Sequence, residues 1–288
     1  MSTITYGPSK RDSIIDRSIT SIKSNASSVG RYAFYGCKNL TSAEFPNATT
    51  VGYYAFSGCT SLTSVESPKA TVLGNYAFYG CTNLIDTDFT SVTAIGQYAF
   101  QNCSKLTEIP VSTSINFYDA RGCFQGCTGL TVAHITNDCA QDMFNGCTGL
   151  TTAVMRDSTL SLWNRAFQNC SKLEIADIHG SGLQYISLFK SCSALNILII
   201  RRTTIQDLGY EASNNNFAFA STPFASGGAG GTIYIPKVLY DHLGDGTSYD
   251  YKAAAKWATA DALGTITWAP IEGSYYETHY ADGTLISS

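Results

Sequence analysis

Residues Tyr32–Leu40 read YAFYGCKNL, and close variants of this stretch return along the chain. They are YAFSGCTSL at Tyr54–Leu62, YAFYGCTNL at Tyr76–Leu84 and YAFQNCSKL at Tyr98–Leu106. The shared core, Phe-x-x-Cys-x-x-Leu, occurs eight times, with phenylalanines at Phe34, Phe56, Phe78, Phe100, Phe124, Phe144, Phe167 and Phe189. A repeat of about 22 residues is too short to bury an apolar face alone, so stacked units must share one core.

Each repeat predicts one short strand and one turn. The residues after the leucine alternate or run apolar, as in LTSAEF and LNILII, and predict a strand, whereas the Phe-to-Cys segment predicts a turn or short helix. Stacked coils would pair these strands in parallel, about 4.8 Å apart. In the early repeats a glycine precedes the turn, and we expect it to supply a left-handed or tight conformation; these glycines are Gly30, Gly52, Gly74 and Gly96.

The stretch VTAIGQYAFQNCSKLTEIP (Val92–Pro110) resembles the leucine-rich repeat of BspA-like bacterial surface proteins. The resemblance covers about Ala26 to Ile200. It implies a mainly-β, right-handed leucine-rich repeat solenoid with one parallel sheet, short turns or helices opposite, a role in adhesion or binding, and no catalytic residues. Later repeats depart from the pattern, since several lack the glycine and one has a two-residue insertion near Asn116.

The ends of the repeat array read as caps. The sequence IYIP…YKAAAKW resembles the C-terminal cap of this family, a strand followed by a helix from Tyr251 to about Leu263 in which Trp257 packs on the last coil. We expect the final residues to form an extra strand or an arm that docks on a second chain. The predicted divisions are an N-terminal cap (1–25), eight repeats (26–200), a degenerate repeat with a Gly-rich loop (201–231), the C-terminal cap (232–270) and the tail (271–288).

All ten cysteines fall at positions predicted to point inward. Eight belong to the repeat core, Cys123 takes a small-residue position before phenylalanine, and Cys139 takes an aliphatic position. The favoured interpretation is buried free thiols that act as small apolar groups. Metal binding would need paired ligands at short spacing, which are absent from the sequence. Stacked disulfides are not excluded by distance alone, but the inward, parallel direction of the side chains makes the required dihedral angle hard to reach. We therefore predict no cofactor, no metal site and no disulfide.

The strand residues two and four positions after each leucine are predicted to point outward and form the candidate binding face. These candidates are Ser42, Glu44, Ser64, Glu66, Asp86, Asp88, Glu108, Val132, His134, Thr152, Val154, Ile175, Asp177, Ile197 and Ile199, with Pro110 in the fourth repeat. Glu44, Glu66 and Asp88 would stack as one acidic column, in which like charges repel. The carboxylates either extend into water or are neutralised by a cationic partner or calcium.

Two further surfaces have alternative interpretations. The apolar second half of the face is either a binding patch or is covered by the segment that follows Ile200. Tyrosines two positions before each early phenylalanine are either exposed contacts for sugars and proteins or packing between coils. They are Tyr32, Tyr54, Tyr76 and Tyr98.

Composition narrows the function class. The net charge of -4 excludes a basic footprint for nucleic acid, and no apolar run is long enough to span a membrane. Catalytic motifs are absent, so we predict a non-enzymatic binding or adhesion protein that recognises a protein or glycan surface. Alternatives are a phage tail-fibre or receptor-binding component and an intracellular scaffold. The N-terminus lacks a signal peptide, which predicts a virion-associated or cytoplasmic protein, or a surface or secreted one if the chain was trimmed.

Overall fold

The computed structural model describes residues 17–109, 117, 119–136, 138–156, 164–179, 187–201, 221–224, 229–241, 266–272 and 274. The predicted helix from Tyr251, with Trp257, lies outside the described residues, as do Pro110 and most of the tail. The chain divides into two compact units, Met1–Leu130 with Asp142–Cys147 and Thr131–Gln141 with Thr148–Ser288. They are called the first and second unit below.

The first unit contains two parallel sheets. The strands are β1 (Ser21–Lys23), β2 (Ser42–Glu44), β3 (Thr50–Val51), β4 (Ser64–Glu66), β5 (Val72–Leu73), β6 (Asp86–Asp88) and β7 (Ala94–Ile95). One sheet has the strand order β1-β2-β4-β6, and its strands β2, β4 and β6 come shortly after the leucine of their repeat. The other has the order β3-β5-β7, and its strands come shortly before the tyrosine of their repeat. The first three repeats therefore pair with one another along two sides, as expected for a stacked repeat.

The second unit contains one parallel six-stranded sheet in the order β13-β12-β11-β10-β9-β8. Its elements are β8 (Val132–Ile135), β9 (Thr152–Met155), β10 (Ile175–Ile178), β11 (Ile197–Ile200), β12 (Thr232–Ile235), α1 (Lys237–Tyr240) and β13 (Thr267–Pro270). The strand predicted for the C-terminal cap is β12, which extends the sheet beyond the repeats. The sequence did not predict β13, where Trp268 stands in register with Ile233.

The predicted class, a mainly-β parallel leucine-rich repeat solenoid, is confirmed. Phenylalanine, cysteine and leucine of every repeat are buried and form the core. The described strands nevertheless form three sheets rather than one. One reason is the fourth repeat, in which the described residues at Glu108 form no strand.

Of the two conformations expected of the early repeat glycines, left-handed or tight, the left-handed one is wrong. None of Gly30, Gly52, Gly74 and Gly96 has a positive φ. The structure instead explains Gly52 by close approach, because a Cβ there would lie 2.7 Å from the Arg31 backbone nitrogen and 2.8 Å from the Gly30 carbonyl carbon. The chain at this corner stacks backbone on backbone, and a side chain would separate the coils.

Gly52→Ala is therefore expected to lower the free energy of unfolding by about 2 kcal/mol, the usual cost of overpacking. Gly30→Ala is the matched control, because a Cβ there meets nothing within 4 Å and φ is not positive. This control is expected to change stability by less than about 1 kcal/mol. Urea unfolding of both variants measures the difference, and equal stability would contradict the close-approach explanation.

Candidate functional site

The strand register of the first unit brings the predicted acidic column together. Lys23, Glu44, Glu66 and Asp88 occupy the same register position on four neighbouring parallel strands. Glu66 is exposed, while Glu44 and Asp88 are half-buried. Lys23 forms an ion pair with Glu44, and its pKa is raised by the hydrogen bond to that carboxylate and then by its charge. The column thus begins with one cation and continues with carboxylates on adjacent strands.

A second register position lies beside the column. Ser42, Ser64 and Asp86 are paired across β2, β4 and β6, and Asp86 is exposed. Glu108 in the next repeat is also exposed. At Asp88 the Thr90 hydroxyl donates a hydrogen bond to carboxylate oxygen Oδ1 over 3.3 Å. The highest density of carboxylates on this face therefore lies at and beside β6.

Three residues predicted for the binding face are instead fully buried. Val154, Asp177 and Ile199 share one register position in the second unit and have no solvent exposure. Asp177 is buried because Arg201 neutralises it through two bonds, Nε to Oδ1 at 2.5 Å and Nη2 to Oδ2 at 2.7 Å. Removal of Val154 and Ile199 from water is favourable for apolar side chains. These three predicted contact residues are corrected to interior residues.

The other candidates in the second unit keep partial access to solvent. Val132 is exposed, and the half-buried ones are His134, Thr152, Ile175 and Ile197. His134 Nε2 lies 3.1 Å from Arg156 Nη2 on the neighbouring strand segment. Its contact is thus structural, between adjacent coils.

The tyrosine column of the first unit is a continuous ring stack. Tyr32, Tyr54, Tyr76 and Tyr98 have successive centroid distances of 5.0, 4.7 and 5.0 Å and interplanar angles of 20° or less. Arg31 Cζ lies 4.9 Å from the Tyr32 ring centre, and Arg121 Cζ lies 6.0 Å from that of Tyr98. The stack therefore has a guanidinium at each end, which is favourable for the electron-rich ring faces.

Stacking leaves the tyrosine faces unavailable to a ligand. Both faces of Tyr54 and Tyr76 are occupied by neighbouring rings, so these residues present only their edges. Burial raises the pKa of Tyr76, and the adjacent phenols Tyr54 and Tyr98 raise it further. The stack is thus mainly packing between coils, and it is only partly exposed.

The backbone at each tyrosine of the stack is left-handed, with φ of 56° or 57°. The equivalent position in later repeats is also left-handed, although its residue varies: Gly122, Asp142, Arg165 and Ser187. Non-glycine residues adopt this conformation at a cost of roughly 1–2 kcal/mol. The cost is offset by ring stacking, with two neighbouring rings at Tyr54 and Tyr76 and with one at Tyr32 and Tyr98.

Exposed tyrosines beside the stack were missed by the sequence analysis. Tyr35, Tyr53 and Tyr79 expose 49%, 51% and 38% of their surface. Tyr35 and Tyr79 follow the buried phenylalanine directly, and this position alternates with Ser57 and Gln101 in the first four repeats. A search for aromatic residues at non-core positions of the repeat would have found them.

The eight cysteines of the repeat core form a regular interior row. All ten are buried and carry free thiols. A thiol typically donates to the phenylalanine carbonyl of the preceding coil, as Cys59 Sγ does to Phe34 O at 3.0 Å and Cys81 Sγ to Phe56 O at 3.1 Å. The residue thus fills a small core space and adds a weak hydrogen bond between coils.

Burial also suppresses the reactivity of several of these thiols. Desolvation raises the pKa of Cys59 and of Cys147 to about 12, and it raises those of Cys81 and Cys103 well above the usual range. A neighbouring cysteine in the row adds to the shift at Cys81. The thiolate, which is the nucleophile and metal ligand, is therefore strongly disfavoured.

The described residues contain no group of three or more His, Cys, Asp or Glu side chains arranged to hold a metal ion. In the same part of the chain, no helix has the length and apolar character needed to cross a membrane.

Comparison with solved structures finds bacterial leucine-rich repeat proteins. A leucine-rich repeat protein of T. pallidum is 25% identical to this chain and has a TM-score of 0.49; the aligned region covers 54% of this chain and 78% of the T. pallidum chain. A leucine-rich repeat protein from Bacteroides ovatus is 16% identical and has a TM-score of 0.44; the aligned region covers 94% of this chain and 92% of the B. ovatus chain. A leucine-rich cell surface protein from Faecalibacterium prausnitzii is 20% identical and has a TM-score of 0.38; the aligned region covers 64% of this chain and 59% of the F. prausnitzii chain. No curated protein sequence matches.

The family profile named BspA type leucine rich repeat region matches residues 15–131 and 120–226, in 6 copies. Together the two matched ranges contain all eight repeats identified above. Such repeats are in general scaffolds for binding. The chain therefore belongs to the BspA type leucine-rich repeat family.

Proposed function

We propose that this protein is a non-catalytic binding module that contacts a protein or glycan surface bearing positive charge. The contact surface is the strand face of the first unit, centred on Glu66, Asp86 and Asp88. The observation that carries the proposal is the register of this face, which places carboxylates on adjacent strands where they repel each other. A cationic partner removes that repulsion on binding.

The distribution of charge and exposure supports this choice of surface. Glu66 and Asp86 are exposed, and they lie beyond the Lys23–Glu44 ion pair at the start of the sheet. The equivalent face of the second unit holds buried Val154 and Ile199. The first unit thus offers an open, negatively charged strand face, which favours fast association with a basic partner.

The triple variant Glu66→Gln/Asp86→Asn/Asp88→Asn is expected to bind basic probes on the order of tenfold more weakly, a loss of about 1.4 kcal/mol. Cytochrome c and poly-L-lysine serve as probes, measured by biolayer interferometry beside a glycan panel. Folding is expected to be unchanged or slightly more stable, because the variant removes like-charge repulsion. Binding of the wild type should weaken at about 0.15 M salt, where screening acts over about 8 Å.

A charge-matched control separates this face from net charge. Asp119→Asn/Glu174→Gln/Glu272→Gln removes three exposed carboxylates at other positions. This control is expected to keep most of the affinity. Equal losses in the two triple variants would show that total charge, and not the strand face, governs binding.

A further inference from the structure

Two exposed tyrosines rest flat against the edge of the ring stack. Tyr35 is inclined at 80° to Tyr32 and 68° to Tyr54, with centroids 5.7 and 6.4 Å apart, and Tyr79 is inclined at 62° to Tyr76 at 5.9 Å. Because rings cover both faces of Tyr54 and Tyr76, these residues meet Tyr35 and Tyr79 with their edges. One face of the Tyr35 ring and one face of the Tyr79 ring therefore contact the stack, and the opposite face of each is turned away from it.

The exposed fractions agree with this orientation. Tyr35 exposes 49% of its surface and Tyr79 exposes 38%. In this packing, the accessible part of each ring is the face that points away from the stack. A flat, accessible aromatic face is a surface on which the apolar face of a sugar ring can stack.

The spacing between the two faces follows from the repeat. Tyr35 and Tyr79 occupy the same position two coils apart, which is about 10 Å for two strand steps of about 4.8 Å. The intervening coil has Ser57 at this position, a small and buried residue. The space between the two rings is therefore not filled by a third aromatic side chain.

The turn beside each ring is formed by a glycine. The next residue in each of the three turns is a glycine, Gly36, Gly58 and Gly80, with φ between 69° and 75°. Because glycine has no side chain, nothing protrudes from the turn at these positions beside each ring. An occupant of this surface is therefore recognised mainly by flat apolar faces that stack on the rings and by hydrogen bonds to the tyrosine hydroxyls.

We propose that Tyr35 and Tyr79 form a stacking platform for an extended β-linked polysaccharide. In a β-1,4-linked chain alternate sugar rings are turned over, so that rings presenting the same face recur after two residues, at nearly the interval between these tyrosines. Two rings of one chain then stack on the two tyrosine faces. The site lies on the turn side of the repeat and is independent of the acidic strand face.

Isothermal titration calorimetry of the full chain tests this assignment with soluble hexasaccharides of β-1,4-linked glucose and β-1,4-linked N-acetylglucosamine. We expect at least one of them to bind. Tyr35→Ala and Tyr79→Ala should each weaken binding on the order of tenfold, and the double variant should abolish measurable heat. Tyr35→Phe/Tyr79→Phe keeps both ring faces and should retain affinity within about threefold.

Three controls make the outcome decisive. Tyr53→Ala removes a tyrosine that is 51% exposed but packs beside Gly74 rather than on the stack edge, and it should bind as the wild type does. Maltohexaose, an α-linked and curved chain, should bind at least tenfold more weakly. Circular dichroism melting confirms that each variant is folded. No binding of either β-linked probe, unchanged affinity in the double alanine variant, or equal binding of maltohexaose would overturn the platform.

Discussion

Replacing Phe78 by alanine is expected to lower the free energy of unfolding by about 4 kcal/mol. Phe78 has no solvent exposure and stacks on Phe56 and Phe100 with centroid distances of 5.3 and 5.1 Å. It also contacts Phe89 at 5.4 Å. The alanine variant loses contacts with three aromatic rings and leaves a cavity, because a stacked coil cannot collapse inward without breaking its backbone pairing on both sides.

Chemical denaturation with guanidinium chloride measures this effect, and the adjacent Tyr79→Ala is the matched control. Tyr79 is partly exposed, so its replacement should cost less than about 1.5 kcal/mol. Because coils contact only their neighbours, Phe78→Ala is also expected to broaden the transition as the first unit loses cooperativity. A loss below about 1 kcal/mol would show that the phenylalanine row is not the principal core of this unit.

Raising the pH above about 9 is expected to destabilise the protein steeply. Folding raises the pKa of buried thiols, so the folded state holds protons that the unfolded state releases above its ordinary thiol pKa of 9.0. The stabilisation is fully present below pH 9 and is lost as the pH rises toward the folded value. Each such thiol contributes on the order of 1 kcal/mol per pH unit in this range. The thiols with raised pKa are Cys59, Cys81, Cys103, Cys127, Cys139 and Cys147.

Urea midpoints between pH 8 and pH 11 measure this dependence. The double variant Cys81→Ala/Cys103→Ala should be less stable at neutral pH but should lose stability less steeply above pH 9. Thiol titration provides an independent readout, with few thiols reacting in the native protein and all ten after denaturation. An unchanged pH slope in the double variant, or rapid reaction of most native thiols, would contradict thiol burial as the cause.

The core of each coil follows directly from the repeat. Phe78, Cys81 and Leu84 are buried at the spacing that the sequence predicted. A side chain repeated at one position of a stacked coil must face the same environment each time, so eight recurrences leave little freedom. The parallel strands after each leucine follow for the same reason, since equivalent strands of successive coils lie side by side.

The role of the repeat glycine did not follow from the sequence. Glycine is compatible both with a positive φ and with close backbone approach, and one sequence does not separate these causes. The structure places the left-handed residue two positions later, at Tyr54 in the second repeat, and assigns close approach to Gly52. Tyrosine is a poor predictor of left-handed backbone, because its compensation comes from rings in the neighbouring coils.

The exposure of the candidate binding face also followed only in part from the sequence. Strand alternation correctly placed Glu66 and Asp86 on the outward side of their sheet, where both are exposed. It also placed Val154, Asp177 and Ile199 outward, and these are buried. Alternation gives the direction of a side chain relative to its own strand, whereas burial depends on what packs above that strand.

The repeat, its parallel strands and the residues of its core follow from the amino-acid sequence alone, because these depend on spacing within one coil and on identity between coils. Which outward surfaces reach water, and how their groups are oriented, depends on tertiary contacts. The Asp177–Arg201 pair closes one part of the strand face, and the stack turns Tyr35 and Tyr79 so that their faces point away from it. Both depend on contacts between residues of different coils, which local spacing does not encode.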